Sequence, residues 1–126
     1  MMKQQMWSTK ALQEIKLVLA NQNDDAKKKF KTHCKKTAGL IQRSGLIQAL
    51  CFLRARPGTE MGMYFCDALS RVYGVNSSAR LSETAQNAGL AEYLMMTRDC
   101  IEIAIWFRRF AQIEMAGIEE DVNSNE

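Results

Sequence analysis

Residues that interrupt regular structure are scarce in this chain, which has one proline and seven glycines among 126 residues. An all-β fold needs a turn after every strand, and glycine and proline are the strongest turn formers. Apolar residues instead recur at the three- and four-residue spacing of amphipathic helices along most of the chain. A chain of this length can bury one sizeable core without disulfide or metal support. The sequence therefore predicts an all-α fold, a compact single-domain bundle of about six helices.

The spacing of apolar residues predicts six helices, at residues 8–20, 24–43, 46–56, 60–73, 82–89 and 90–115. Asn23 is the predicted N-cap of the second helix, Gly45 ends it, and Ser82 is the predicted cap of the fifth. The third helix is apolar on nearly every side, which predicts that it lies at the centre of the bundle. Residues 1–117 are expected to form the bundle, and residues 118–126 an acidic tail that frays from it.

Charge is distributed unevenly along the chain, although its net value is only +3. No acidic residue occurs between Ala26 and Thr59, and this window carries +9, which leaves −6 for the rest of the chain. On the second predicted helix one arc is apolar and the opposite arc is cationic, with Lys27, Lys28, Lys31, Lys35 and Arg43. A concentrated basic face on a chain of mild net charge favours binding of a polyanion. The alternative is a lysine-rich helix face that is merely solvated.

Recognisable catalytic and metal-binding motifs are lacking. The one histidine, His33, falls on the apolar side of the second helix, where a core position is expected. The four cysteines form no C-x-x-C pair, so each is expected to be a small buried hydrophobic residue rather than a zinc or redox ligand. No phosphate-binding glycine loop and no H-E-x-x-H motif is present. The sequence thus predicts no catalytic residue, no metal site and no cofactor, and a protein that is not an enzyme.

Export and membrane signals are also missing from the sequence. The first residues have neither a long apolar run nor a small-residue cleavage site. No segment approaches the ~20 consecutive apolar residues that span a bilayer. We expect a cytoplasmic protein without a membrane partner.

The last predicted helix carries two apolar stripes. The main stripe suits the core of the bundle, and a second, shorter stripe on the far side contains Leu94, Ile101 and Ile105. A helix with two apolar sides either lies in the middle of a bundle or also meets a partner. The second stripe is therefore a candidate protein interface, with an intramolecular core role as the alternative.

Two segments together resemble a known family. The first reads Lys27-x-x-Phe30, and then Leu40-Ile41-x-x-Ser44-Gly45-Leu46-x-x-x-Leu50-x-Phe52-Leu53. The second reads Tyr93-x-x-x-Thr97-x-Asp99, and then Trp106-Phe107-Arg108-Arg109-Phe110-Ala111. In order and spacing they resemble the small α-helical subunit of the type III-B CRISPR effector, the Cmr complex, and the resemblance extends over about residues 6–115.

This resemblance implies a non-catalytic helical subunit of an RNA-guided antiviral complex. Members of the family pack as a filament on copies of themselves, on the repeated backbone subunit and on the large polymerase-like subunit, along the groove where guide RNA meets target RNA. The second segment implies that Arg108 and Arg109 form a second basic site. The lysines of the second helix suit such a role, because they bind phosphates as point charges and base pairing supplies the sequence choice.

Two other classes of function remain open from the residues. The first is a free helical nucleic-acid-binding regulator, since the second helix, Gly45 and the third helix are arranged like a helix-turn-helix. The third helix would then be the recognition helix, yet it has few polar groups to present to a DNA groove. The second class is a protein-only adaptor that uses the second stripe of the last helix and no nucleic acid.

Overall fold

The computed structural model describes residues 2–55 and 60–120, and all regular structure in these two ranges is helical. The described residues form six helices: α1 (Met2–Asn21), α2 (Asp24–Ser44), α3 (Leu46–Ala55), α4 (Glu60–Tyr73), α5 (Ser78–Asn87) and α6 (Leu90–Glu114). The predicted all-α bundle is confirmed. Within the described ranges, no helix combines the length and the apolar character that crossing a bilayer requires. Residue 56, the predicted end of the third helix, and residues 121–126 of the predicted tail lie outside these ranges.

The two longest helices, α2 and α6, make the most extensive helix–helix contact of the bundle. Lys31 of α2 lines a pocket with Arg108 near the end of α6, whereas Gly45, just after α2, lies beside Tyr93 at the start of α6. The two helices therefore run in opposite directions. α2 also packs on α1, α3 and α4, and α4 contacts all five other helices, so that α4 is the central helix of the fold.

The prediction that the third helix is central is wrong. α3 buries only one side, which consists of Leu46, Ala49, Leu50 and Leu53. Its other side leaves Cys51 and Phe52 exposed. The physical reason is length: α3 has 10 residues, against 21 in α2 and 25 in α6, and the longer helices bury more surface against each other. The apolar residues left over on α3 stay at the surface.

Three phenylalanines join α2, α4 and α6 at the middle of the core. Phe30, Phe65 and Phe107 are fully buried. Their ring centroids lie 5.4 Å apart for Phe30–Phe65, 5.1 Å for Phe65–Phe107 and 6.3 Å for Phe30–Phe107. All three pairs are edge-to-face, the geometry that the aromatic quadrupole favours. This cluster sets the spacing of the helices that carry the candidate site.

The termini of α2 agree with those predicted from the sequence, whereas the start of α5 does not. The Asn23 side chain accepts a hydrogen bond from Ala26 N at 2.8 Å, as predicted for an N-cap. Gly45 ends α2 with a φ of 85°, a conformation that favours glycine. The fifth helix begins at Ser78, not at residue 82, because Ser77 is its N-cap and its side chain accepts from Arg80 N. Ser82 is instead buried within the helix.

A bidentate ion pair ties α1 to α4. Arg71 donates to both carboxylate oxygens of Glu14, at 2.9 and 2.8 Å. The hydrogen bond to Glu14 raises the pKa of the Arg71 guanidinium.

α1 also begins six residues earlier than predicted, and Lys3 pairs with Asp99 of α6 at 3.6 Å. The Lys3–Asp99 pair holds the N-terminal turns of α1 against α6.

Three of the four cysteines are buried, as predicted, and Cys51 on the outer side of α3 is the exception. Burial raises the pKa of the Cys34 and Cys100 thiols, and it raises the pKa of Cys66 to about 12. These three thiols are therefore uncharged near neutral pH and pack as hydrophobic groups. His33 is 5% exposed and belongs to the core side of α2, as predicted.

Candidate nucleic-acid interface

The cationic arc of α2 lies on the side of the helix that faces away from the core. Lys35 and Arg43 are exposed, whereas Lys27, Lys28 and Lys31 are half-buried. Half-burial is common for lysine, because the aliphatic stem covers apolar surface while the ammonium group reaches water. The arc is therefore carried on a rigid helical support, with the stems of Lys27, Lys28 and Lys31 partly buried.

A pocket of about 150 Å³ between α2 and α6 brings together three of the predicted site residues. Lys31 and Lys35 line it from α2, and Arg108 lines it from α6. Its remaining lining residues are Ala111, Gln112 and Glu120. Three cations from two antiparallel helices thus converge on one small concavity, which concentrates positive potential there.

Arg109 points away from this pocket. Its guanidinium carbon lies 5.5 Å from the centroid of the Trp106 ring, and Trp106 stacks on Phe110 at 5.6 Å. The Trp106 indole also donates to Gln4 of α1 at 2.8 Å. The predicted pair of arginines is therefore divided: Arg108 joins the basic pocket, and Arg109 belongs to the side of α6 that faces α1.

The other predicted basic residues lie along α2 on either side of the pocket. Lys27 and Lys28 lie one turn earlier, and Arg43 lies near the C-terminal end. The Arg43 guanidinium folds back over Gly39, where an added Cβ would meet it at 3.3 Å. Within residues 2–55 and 60–120, these three side chains make no hydrogen bond or ion pair.

The acidic C-terminal segment reaches the basic pocket, which sequence reasoning missed. Lys31 Nζ donates to the Ile118 carbonyl oxygen at 2.6 Å, and Lys35 Nζ lies 3.1 Å from both carboxylate oxygens of Glu120. The expectation that the tail frays therefore does not hold for residues 118–120. A usable signal was present: Met115 and Ile118 continue the apolar spacing of α6, and both pack on the core.

The second apolar stripe of α6 is divided by the fold. Leu94 is 57% exposed, and its neighbours Leu90 and Met95 are 76% and 52% exposed. Ile101 and Ile105 are half-buried and pack against the core. The exposed part of the stripe is therefore confined to the first turns of α6.

The two segments of the family resemblance meet in space. The Tyr93 hydroxyl of the second segment accepts a hydrogen bond from Ile47 N, at the start of α3, at 3.2 Å. It also lies against Gly45, where an added Cβ would approach it to 3.3 Å. Tyr93 thus supplies the acceptor that the first turn of α3 needs.

Groups of three or more histidine, cysteine, aspartate or glutamate side chains that could hold a metal ion do not occur in the described part of the chain. In the described residues, the candidate interface offers ionic contacts from lysine and arginine side chains.

Residues 3–114 match the family model described as CRISPR-associated protein (Cas_Cmr5). The chain belongs to the Cas_Cmr5 family. Among curated proteins it is similar to the CRISPR system Cmr subunit Cmr5 of Thermus thermophilus, with 32% identity over 108 residues, 86% of this chain and 91% of the relative. Among solved structures it is similar to the X-ray crystal structure of a CRISPR-associated Cmr5 family protein, also from Thermus thermophilus. That comparison has a TM-score of 0.80 and 30% identity, and it covers 87% of this chain and 94% of the other.

Membership of the Cas_Cmr5 family confirms the resemblance drawn from the two segments. The match ends at residue 114, which is also the last residue of α6. Residues 118–120, which reach the basic pocket, therefore lie beyond the part of the chain that the Cas_Cmr5 model covers.

Proposed function

We propose that this chain is the non-catalytic small subunit of a type III-B CRISPR effector, the Cmr complex, and that it holds the phosphate backbone of RNA with the outer face of α2. Its partners are then the guide and target RNA, the backbone and polymerase-like subunits, and further copies of itself in a cytoplasmic ribonucleoprotein. Support for the complex comes from the Cas_Cmr5 family and from the relative named as a Cmr subunit.

One observation carries the RNA-binding part of the proposal: Lys31, Lys35 and Arg108 converge on one pocket, and Lys27 and Lys28 extend the same face. Positions one helical turn apart stand ~5.4 Å from each other, which is close to the spacing of phosphates along a strand. Lysines contact phosphates as point charges and are poor at reading base edges. Such a face suits a subunit that holds RNA of any sequence while base pairing selects the target.

The RNA-binding face is tested by reversing three of its charges together, in Lys28→Glu, Lys31→Glu and Lys35→Glu. Binding of RNA by the assembled complex should weaken to the same degree for every RNA sequence, because phosphate contacts carry no sequence information. The log–log slope of affinity against salt should flatten by about 0.7 for each phosphate contact that a single strand loses. The measurement is RNA affinity by fluorescence anisotropy over a salt series.

The matched control reverses three exposed cations elsewhere, in Lys16→Glu, Arg80→Glu and Arg98→Glu. It produces the same change in net charge without touching α2. An equal loss of affinity in both triple variants, or an unchanged salt slope in the α2 variant, would contradict the assignment of the face. Circular dichroism melts of both variants establish that the bundle is intact.

The helix-turn-helix regulator is the weaker alternative. In that arrangement α3 would be the recognition helix, but its start is held by the Tyr93 hydroxyl and its exposed side carries Cys51 and Phe52. A recognition helix presents polar side chains to base edges. Sequence-selective binding of duplex DNA by the isolated chain would favour the regulator over the proposed RNA-holding subunit.

Contact with other subunits is the second part of the proposal, and the exposed start of the α6 stripe supports it. Leu90, Leu94 and Met95 expose more than half of their surface within two turns of one helix. Contiguous apolar groups of this kind mark protein interfaces when they exceed the scattered exposure that is normal on a monomer.

The substitution Leu94→Asp is expected to impair assembly of the complex without changing the melting temperature of the isolated chain. Leu94 is exposed, so the bundle does not depend on its burial, whereas an interface would have to desolvate the new carboxylate. Co-purification of the subunits and thermal melts measure the two effects. Gln86→Asp, at an exposed position of α5, introduces the same charge outside the stripe and is the control. A lower melting temperature in Leu94→Asp, with assembly retained, would assign the stripe to the core.

A further inference from the structure

The chain reverses direction directly after α6 and crosses the basic face of α2. Met115 is fully buried and its N–H donates to the Ala111 carbonyl at 2.9 Å. A tight turn follows, in which Ile118 N donates to the Met115 carbonyl at 3.0 Å. Ile118 packs against the core. The buried methionine and this turn deliver residues 118–120 to the pocket between α2 and α6.

Two of the three cations that line the pocket are engaged by this segment. Lys31 Nζ binds the Ile118 carbonyl oxygen, and Lys35 Nζ binds the Glu120 carboxylate through both oxygens. A carboxylate offers an ammonium group the same kind of charge-assisted acceptor as a phosphate. Glu120 itself lines the pocket. The position beside Lys35 that an RNA phosphate would take is thus held by an anion of the same chain.

The contact between Lys35 and Glu120 is one that another anion can displace. The side chains of Lys35 and Glu120 are 59% and 37% exposed, and ion pairs at such exposure are weakly stabilising and screened by salt. By contrast, the Lys27 and Lys28 side chains, one turn earlier, form no ion pair with the described residues. The basic face of α2 therefore has an open half and a half that its own C-terminal segment occupies.

We propose that the α2–α6 pocket is a phosphate-binding site and that Glu120 is its internal competitor, which an RNA phosphate must displace. This inference rests on the proposed function, because it takes the RNA backbone as the ligand. RNA that approaches the basic face of α2 then finds Lys27 and Lys28 open and Lys35 occupied by Glu120. Full engagement requires the exchange of the Glu120 carboxylate for a phosphate at Lys35.

The test compares Glu120→Gln with the wild-type chain in binding a single-stranded RNA oligonucleotide. The substitution removes the competing charge and keeps the shape of the side chain, and it should tighten binding by about two- to five-fold, the range expected for one exposed ion pair. Glu119→Gln is the matched control, since it makes the same change in net charge at an exposed neighbour that does not line the pocket. Equal gains in the two variants, or no gain in Glu120→Gln, would overturn the inference.

Two further measurements identify the site and separate this inference from the proposed function. In a Lys35→Gln background the gain from Glu120→Gln should disappear, and persistence of the gain would overturn the competition. Inorganic pyrophosphate serves as a probe that needs no RNA, with binding followed by calorimetry. Tighter pyrophosphate binding by Glu120→Gln with no RNA binding by any variant would uphold the pocket and reject the RNA face. RNA binding that is equal in Glu120→Gln, Glu119→Gln and the wild-type chain, without pyrophosphate binding, would reject the pocket and retain the RNA face.

Discussion

Replacing Phe107 by alanine is expected to lower the free energy of unfolding by about 3–5 kcal/mol, which is the usual cost of a fully buried Phe→Ala change. The Phe107 ring is fully buried and meets Phe30 and Phe65 edge-to-face, so that one substitution removes two aromatic contacts. The vacated space lies where α2, α4 and α6 meet, and three helices cannot all close on it. For a domain whose total stability is about 5–15 kcal/mol, the loss is a large fraction.

Urea unfolding of the wild-type chain and the variant measures this change. The midpoint should fall while the m-value stays the same, because the surface exposed on unfolding is nearly unchanged. Ile113→Ala, at a 68% exposed position of the same helix, is the control and should stay within about 0.5 kcal/mol of the wild type. A Phe107→Ala variant as stable as this control would mean that the aromatic cluster does not hold the helices together.

Sequence patterns were sufficient for the helices because each depends on neighbours along the chain. The apolar spacing of α2 and α4, the Asn23 cap and the break at Gly45 involve residues within a few positions of one another. The start of α5 was missed because a contact with another helix decides it. Both Ser77 and Ser82 can cap a helix, and Asp67 of α4 favours the earlier one by accepting from Ser78 N at 2.7 Å.

Packing between helices could not be derived from the same patterns. The all-round apolarity of α3 predicts a central helix. It does not reveal how the longer helices pack, and therefore how much of the α3 surface they cover. Cys51 is exposed for that reason. Periodicity states which side of a helix is apolar, and the lengths and crossings of the other helices decide which sides are covered.

The candidate site shows the same division between local and long-range information. The cationic arc of α2 could be predicted because its members share one helix face. The pocket could not, since Lys35 and Arg108 are far apart in sequence and meet only because α2 and α6 run antiparallel. The two arginines at 108 and 109 are adjacent in sequence, yet consecutive positions on a helix point about 100° apart, which places them on different sides of α6. The contact of Glu120 with Lys35 is likewise long-range.

The substitution Gly62→Ala is the second change with a large expected effect, because α3 and α4 approach each other through their backbones at this glycine. A Cβ at position 62 would overlap the carbonyl oxygen of Leu53, well inside van der Waals contact. Real Cβ atoms do not approach backbone oxygen so closely, and neither helix can yield without moving as a unit. The variant must separate α3 from α4, which should destabilise the fold by about 1–3 kcal/mol or more, as overpacked cores do. The gain of up to ~1 kcal/mol in helix propensity offsets only part of this loss.

Gly39→Ala is the matched control for this prediction, since it makes the same chemical change inside α2. There the added Cβ would meet only the far end of the Arg43 side chain, at 3.3 Å, and a long flexible side chain can turn aside. The two variants should therefore move in opposite directions in a thermal melt: Gly62→Ala below the wild type, and Gly39→Ala at or above it, because alanine favours the helix more than glycine does. If Gly62→Ala were also neutral or stabilising, α3 and α4 would not be in backbone contact at Leu53.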